Sequence, residues 1–348
     1  MAGSSRCDAQ LNNSSSSSTE NDLPSSTCDW TKGLIDKLGL RYEYKLPSDM
    51  VIEHMSSVAH LFPEEINDLE KVASKLGTVG NLNHESLLQI NLAGLRWLTQ
   101  SDEDVGLLRT EVPFKEIDVL RYSTHVKKFG FSLWFVLKEN PFAVYEAKYR
   151  CLFQEFLQMF GIQVMAQPVI NMESTKLFRE KVSSCADIVF LSQRDVEKCA
   201  VAVCEVKGEC CSADQDEGPT APKFRRTQDS PEKVPVSKEN TSLPDGLLPQ
   251  HIGQLLIYLH KSICKEALLG MAVDKTCVTF TRLFMEEDTM TEIQTSSRES
   301  LPLKEEERPI LYYSRPYNYL LEEDREEIVK ALLTLTVMEY RARGKKRR

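Results

Sequence analysis

Two apolar segments joined by a short polar link constrain this chain more than any other feature of its sequence. Residues 185–190 place Asp187 ahead of Ile-Val-Phe, and residues 200–207 end in Glu205-Val-Lys207. Short apolar runs bounded by polar residues predict two neighbouring buried strands. Because side chains alternate between the faces of a strand, Glu205 and Lys207 share one face, about 7 Å apart along the backbone. An adjacent strand would bring Asp187 to Glu205 as a second carboxylate.

Two carboxylates and one ammonium group suit the hydrolysis of a phosphodiester. Mg²⁺ prefers oxygen ligands and keeps several of its waters, so Asp187 and Glu205 could hold it together. Such an ion polarises a phosphoryl oxygen and lowers the pKa of a bound water. Lys207 would orient that water or stabilise charge that develops on the phosphate. The simpler alternative is an ordinary charged pair at the end of a strand, and these segments alone do not decide between the two.

Residues 250–260 predict an amphipathic helix. Its apolar stripe has helical spacing and consists of Ile252, Leu255, Leu256, Leu259 and Ile263. Gln254 and Tyr258 are four residues apart and share one face, and His251 lies one turn earlier. An amide and a phenol there could hydrogen-bond a phosphate, a base edge or the lysine of the preceding strand. The alternative is a tyrosine at the rim of the core beside a solvated glutamine.

In this order, the elements resemble the PD-(D/E)XK nuclease superfamily, in the branch that has a Gln-x-x-x-Tyr helix after the Glu-x-Lys strand. RecB-type nuclease domains and lambda-type exonucleases belong to that branch. The resemblance covers residues 140–290 and implies a nuclease that uses Mg²⁺ or Mn²⁺ to hydrolyse DNA or RNA. It implies catalytic roles for Asp187, Glu205 and Lys207. It also implies that substrate is bound by the helix residues Gln254, Tyr258 and His251.

An acidic residue on a preceding helix joins the metal site in that superfamily. The resemblance assigns this position to Glu146, so the implied metal ligands are Glu146, Asp187 and Glu205. Glu155 lies on the same predicted helix, and the sequence leaves the choice between the two acids open. The chain departs from the usual motif at Ala186, where many members have proline, and in the length of the link that follows the Glu-x-Lys strand.

The fold class that follows is α/β. The resemblance implies a restriction-endonuclease-like core, in which helices flank a mixed central sheet. A helix over residues 144–160 and a hairpin over residues 268–284 agree with that order of elements. The apolar and aromatic residues 130–137 are interpreted as a buried strand or the start of the core domain. The aromatic residues of the 144–160 helix are assigned to the core rather than to a surface that stacks on bases.

Composition divides the chain into five regions. Residues 1–27 are rich in serine and asparagine and predict a disordered tail. Residues 28–129 predict a helical N-terminal region, which could bind a protein partner. Residues 130–340 form the predicted nuclease domain, interrupted by a polar, disordered insertion at residues 209–249. Residues 341–348 form a basic tail.

Charge and cysteine content limit the partners and the compartment. The net charge of −9 argues against a protein that coats nucleic acid, but a nuclease needs only a suitable local field at its cleft. The ten cysteines form no C-x-x-C pair, and several lie in predicted apolar strands, where a free cysteine acts as a small apolar residue. That use of cysteine favours a reducing, intracellular compartment. The basic tail favours the nucleus over the cytoplasm. No run approaches the roughly 20 apolar residues of a membrane helix, so a membrane partner is not expected.

Two alternatives to a nuclease remain open from the sequence. The first is a catalytically inactive binding or scaffold protein that keeps the nuclease fold. The second is a helical interaction protein with an acidic surface and a basic tail. The second alternative predicts no convergence of Asp187 with Glu205.

Overall fold

A computed structural model describes part of the chain, namely residues 23–56, 125, 128–136, 146–160, 162–192, 200–207, 248–296 and 303–344. Most of the predicted N-terminal tail lies outside these residues, as do the predicted helices between residues 57 and 124. Nearly all of the predicted insertion and the last four residues of the basic tail also lie outside them. The first part of the basic tail, residues 341–344, ends the last helix.

The described residues form ten strands and six α-helices whose two ends are both defined. The strands are β1 (Arg41–Tyr44), β2 (Val164–Ala166), β3 (Glu173–Leu177), β4 (Glu180–Ser184), β5 (Ile188–Leu191), β6 (Ala200–Lys207), β7 (Ala267–Asp274), β8 (Cys277–Phe284), β9 (Ile310–Tyr313) and β10 (Tyr317–Asn318). The helices are α1 (Lys32–Lys37), α2 (Pro47–Ser56), α3 (Glu146–Met159), α4 (Pro249–Tyr258), α5 (Glu287–Thr295) and α6 (Glu322–Gly344). Residues 128–136 are also helical.

Eight strands form one mixed sheet in the order β1-β9-β8-β7-β6-β5-β2, with β10 paired to β8. The pairs β1–β9 and β6–β7 are parallel, and the other pairs are antiparallel. β3 and β4 form a separate hairpin. The predicted α/β class with a mixed central sheet and flanking helices is therefore confirmed. None of the helices within the described ranges combines the length and apolar character needed to span a bilayer.

Helices cover both faces of this sheet and bury two apolar cores. The first core contains side chains of α2, α3, α6 and the helical residues 128–136. The second contains side chains of α1, α4, α5 and the β3–β4 hairpin. The aromatic residues of α3 belong to the first core, as predicted, with Phe156 stacked on Tyr319 at a centroid distance of 4.8 Å.

The central strand β6 is buried on both faces, which explains why its sequence is almost continuously apolar. Cys204 and Val206 point into the first core, whereas Val203 points into the second. By the alternation of a strand, Glu205 shares the face of Val203, which α4 covers. A carboxylate is thus held in a part of the sheet that is otherwise apolar.

The predicted strand at residues 130–137 is wrong, because residues 128–136 are helical. Phe129, Leu133 and Val136 are buried at helical spacing, and Phe131 and Phe135 are about half exposed on the other side. A short apolar run has no clear period of its own, so its sequence does not distinguish a strand from a buried helix. Packing against α3 and α6 decides the outcome.

The predicted boundary near residue 130 also needs correction. β1, which lies within the predicted helical region, pairs in parallel with β9 in the central sheet. Further upstream, Thr27 Oγ1 lies 2.7 Å from Ser184 Oγ, and the Ser183 N–H donates to the Ser25 carbonyl at 2.8 Å. The described part of the N-terminal region is therefore built into the same body as the sheet.

The N-terminal segment at residues 23–30 presses closely on α4. A Cβ atom added at Gly253 would lie 2.7 Å from Thr27 Cγ2 and 2.9 Å from Trp30 Cε3. Trp30 is itself buried. Gly253 is therefore required by the close approach of the Thr27 and Trp30 side chains to the backbone of α4 rather than by the helix itself.

We expect Gly253→Ala to lower the free energy of unfolding by about 1–3 kcal/mol, because the added methyl group must displace Thr27 and Trp30. Gly33→Ala is the matched control, since Gly33 is also helical but a Cβ there would meet nothing within 4 Å. That control should stabilise the protein by up to about 1 kcal/mol through helix propensity. Thermal or urea unfolding of the two variants measures the difference, and equal effects would contradict the packing argument.

Candidate functional site

Asp187 and Glu205 lie opposite each other on neighbouring antiparallel strands. Ile188, the first residue of β5, pairs with Cys204, and the N–H of the preceding Asp187 donates to the Cys204 carbonyl at 3.1 Å, so Asp187 lies beside the end of β6 that carries Glu205. The Val206 N–H donates to Asp187 Oδ2 at 2.9 Å and fixes this carboxylate at the sheet. Both residues are buried, with exposures of 4% and 2%. The charge of Asp187 acts on Glu205, and the residue next to Glu205 hydrogen-bonds Asp187, so the predicted convergence, absent from the helical alternative, is present.

Lys207 contacts two carboxylates that come from different elements, β6 and α3. Its Nζ atom lies 2.6 Å from Glu205 Oε1 and 3.7 Å from Glu146 Oε2. Glu146 is the first residue of α3, which brings its carboxylate to the end of β6. Glu155, the alternative acid on α3, instead contacts His125 at 3.1 Å. The structure therefore places Glu146 at the site.

Gln254 of α4 holds the other oxygen of Glu205. Its Nε2 donates to Glu205 Oε2, and its side chain is completely buried. Its carbonyl oxygen Oε1 is buried without a hydrogen-bond partner among the described residues. The amide thus orients the carboxylate and leaves an unsatisfied acceptor beside it, which is costly unless another group satisfies it.

Tyr258 and His251 do not form an open substrate surface. The Tyr258 hydroxyl accepts the Ala186 N–H at 3.3 Å, and burial raises the pKa of Tyr258 to about 12. His251 is fully buried, with Nε2 2.8 Å from Thr281 Oγ1, and burial lowers its pKa to about 3. The expectation that His251 contacts substrate therefore needs correction, because packing of α4 on β7 and β8 closes that face of the helix.

Arg150 and Gln167 complete the surroundings of Asp187. Arg150 Nη1 donates to Asp187 Oδ1 at 2.9 Å and to Gln167 Oε1 at 3.3 Å. Gln167 Nε2 donates in turn to the Ala186 carbonyl at 3.3 Å. Arg150 follows Glu146 by four residues on α3, so the two side chains share one face of the helix. From this spacing the sequence could have predicted that Arg150 lies at the site together with Glu146. No sequence signal marks Gln167.

The site holds more negative than positive charge, with three carboxylates against two cations. Burial and the charge of Asp187 raise the pKa of Glu205 to about 7, although Lys207 and Gln254 oppose the shift. Burial likewise raises the pKa of Glu146. Burial alone would lower the pKa of Lys207, but the charge of Glu205 and its hydrogen bond raise it overall. An additional positive charge at this site would relieve the repulsion.

The oxygen donors of the site suit a hard divalent cation held largely through water. The described residues contain no group of three or more His, Cys, Asp or Glu side chains arranged to hold a metal ion. Mg²⁺ needs fewer, because it commonly binds one or two carboxylates and keeps several waters. Each ionised carboxylate offers about four lone-pair sites, so the present partners of Asp187 and Glu205 leave acceptor capacity. The excess of negative charge and the unsatisfied Gln254 Oε1 also fit Mg²⁺ or Mn²⁺.

Comparison with models of protein families, with curated proteins and with solved structures finds no match to this chain. The assignment of the site therefore depends on its geometry and on the motif pattern in the sequence.

We expect Glu205→Gln to become more stable relative to wild type as the pH rises from 5 to 8 in the presence of a chelator. Between the ordinary pKa of 4.5 and the folded value of about 7, the folded state keeps a proton that the unfolded state has lost. Wild type therefore loses free energy of unfolding as the pH rises, on the order of 3 kcal/mol, and the variant does not.

Melting temperatures of the two proteins at pH 5 and pH 8 measure this effect. The difference between variant and wild type should grow by about 5 °C. A difference that stays constant with pH would contradict the raised pKa of Glu205.

Proposed function

We propose that this protein is a metal-dependent nuclease that hydrolyses phosphodiester bonds of DNA or RNA. The observation that carries the proposal is the meeting of Glu146, Asp187, Glu205 and Lys207 at one end of the central sheet. Three elements supply them: α3, the start of β5, and β6. This is the arrangement that the resemblance to the PD-(D/E)XK superfamily implies.

The order of elements supports a restriction-endonuclease-like core. α3 precedes the antiparallel pair β5–β6, α4 follows, and β7 then returns in parallel beside β6. α4 carries the Gln-x-x-x-Tyr pair and contacts the same strands that carry the acids. The additional hairpin β3–β4 between α3 and β5 was not expected from the sequence.

Each side chain has a definite part in this proposal. Asp187 and Glu205, with Glu146 nearby, would hold Mg²⁺ or Mn²⁺, which would polarise a phosphoryl oxygen and lower the pKa of a bound water. The Lys207 ammonium group, held between two carboxylates, orients the attacking water or stabilises charge on the phosphate. Gln254 fixes the Glu205 carboxylate.

Tyr258 acts on the site through the backbone. Its hydroxyl accepts the Ala186 N–H, directly before Asp187, and so holds the start of β5 against α4. We therefore assign Gln254 and Tyr258 to the positioning of the carboxylates rather than to contact with bases.

A binding or scaffold protein that keeps the nuclease fold is the second candidate. Both oxygens of Asp187 and both oxygens of Glu205 already have partners within the protein. The fold can therefore close the site without a cation, as an inactive descendant of a nuclease would. The net charge of −9 also limits non-specific binding to nucleic acid. A protein partner would in this case bind through the N-terminal region.

The nucleus is the proposed location, because residues 345–348 form a run of lysine and arginine of the kind that acts as a nuclear import signal. Imaging of the full chain and of a variant with residues 345–348 replaced by serine tests this assignment. Loss of nuclear enrichment in the variant is the expected result.

Cleavage of labelled single- and double-stranded DNA and RNA with Mg²⁺ or Mn²⁺ tests the proposed activity. We expect Asp187→Asn and Lys207→Met each to lower the rate by about 100-fold or more, because each removes charge that acts on the transition state. Lys304→Met is the matched control, since Lys304 forms a Lys–Glu pair with Glu307 and contacts no residue of the site. The control should cleave like wild type.

Equal cleavage by wild type and all three variants would show that the activity comes from a contaminant. Binding of nucleic acid by wild type without any cleavage would favour the scaffold candidate. Absence of both binding and cleavage across the four substrates would remove the nuclease proposal.

A further inference from the structure

Arg150 is a cation already present where the proposed metal ion would bind. Its guanidinium group contacts Asp187 Oδ1 at 2.9 Å, and the side chain is 18% exposed, so it reaches the edge of the site. Among the described residues, all of its hydrogen bonds come from Nη1, to Asp187 and Gln167. The remaining donors of its planar fork have no partner within that part of the chain.

Asp187 does not need Arg150 for its orientation. Its second oxygen accepts the Val206 N–H, its own N–H donates to the Cys204 carbonyl at 3.1 Å, and the Tyr258 hydroxyl holds the preceding Ala186. The strand ladder and α4 therefore fix this carboxylate independently. The pair with Arg150 balances charge rather than building the sheet.

A divalent cation at Asp187 would compete with Arg150 for the same carboxylate. Two positive groups on one carboxylate repel each other, and this repulsion is strong in a buried site where the effective dielectric constant is low. The Arg150 guanidinium group would then bind more favourably to a different anion. A phosphodiester is well suited, because its two non-bridging oxygens match the paired N–H groups of arginine.

We propose that Arg150 couples metal binding to substrate binding by exchanging Asp187 for the phosphate of the nucleic acid. This inference rests on the proposed nuclease function and adds a phosphate-binding residue to it. Without a cation, Arg150 neutralises Asp187. With a cation on Asp187, Arg150 turns to the anionic backbone of the substrate.

The exchange makes the two ligands cooperative. A cation that releases Arg150 strengthens phosphate binding, and by linkage the phosphate strengthens cation binding by the same factor. Glu146, Lys207 and Glu205 surround the same space, so the coupling is confined to one site. A purely structural Arg150 would show no such reciprocity.

The experiment compares wild type, Arg150→Gln, Arg150→Lys and Arg315→Gln. Arg315 is the matched control, because it forms an Arg–Asp pair with Asp324 at 2.7 Å and contacts no residue of the site. Calorimetric titration with Mn²⁺ alone measures cation binding. Fluorescence anisotropy of a labelled oligonucleotide, with EDTA or Ca²⁺ and with gel verification that it stays intact, measures coupling.

We expect Ca²⁺ to tighten oligonucleotide binding by wild type by about 5-fold or more, which is the lower range of measured couplings. Arg150→Gln should lose this enhancement and bind Mn²⁺ more tightly than wild type, because the competing cation is gone. Arg150→Lys should keep the competition with Mn²⁺ but recover only part of the enhancement, since an ammonium group lacks the fork. Arg315→Gln should behave like wild type in both titrations.

Two results would overturn the inference while leaving the nuclease proposal intact. One is an unchanged enhancement by Ca²⁺ in Arg150→Gln. The other is weaker Mn²⁺ binding in that variant, which would make Arg150 a support for the metal site. If Arg150→Gln does not fold, the Arg150→Lys variant provides the test. A lysine lacks the paired N–H groups of arginine, so a full enhancement of oligonucleotide binding by Ca²⁺ in that variant would also refute the proposed exchange of Asp187 for phosphate. Wild type that binds neither Mn²⁺ nor oligonucleotide would overturn both proposals together.

Discussion

Two buried carboxylates that face each other across neighbouring strands dominate the physical chemistry of this protein. Both carboxylates are buried, and Glu205 lies in β6, whose other buried residues are all apolar, so these charges must be balanced locally. The protein does this with Arg150 from α3, Lys207 from β6 and the amide of Gln254 from α4. Each of these elements is therefore tied to the same point at the end of the sheet.

The elements around that point support one another. β6 is central because it pairs with β5 and β7, and it buries apolar residues on both faces while projecting Glu205 toward α4. α4 is held in place from outside by the N-terminal segment, which leaves no room for a side chain at Gly253. A change in residues 23–30 would thus affect the candidate site through a single layer of packing. The N-terminal region is part of the site's support.

Local patterns of the sequence predicted the elements that have a clear hydrophobic periodicity or clear turn and boundary residues at their ends. The helix Glu146–Met159, within the predicted range 144–160, and the hairpin around Asp274 and Lys275 are present in the structure, as are the strand that follows Asp187 and the strand that carries Glu205. Patterns without a clear period failed: residues 128–136 are helical rather than part of a strand, and the β3–β4 hairpin has too little apolar alternation to be recognised. β1 was missed because four residues carry little signal before their partner strand, 269 residues later, is known.

The sequence by itself determined which chemical groups this protein can bring together, because strand alternation and helical spacing fix which residues share a face. It therefore predicted that Glu205 projects with Lys207 and that Gln254 projects with Tyr258. Only the tertiary structure decided between Glu146 and Glu155, closed the face of His251 and placed Arg150 on Asp187. Those outcomes depend on how α3 and α4 pack across the sheet, and contacts between distant segments leave no local pattern in a chain.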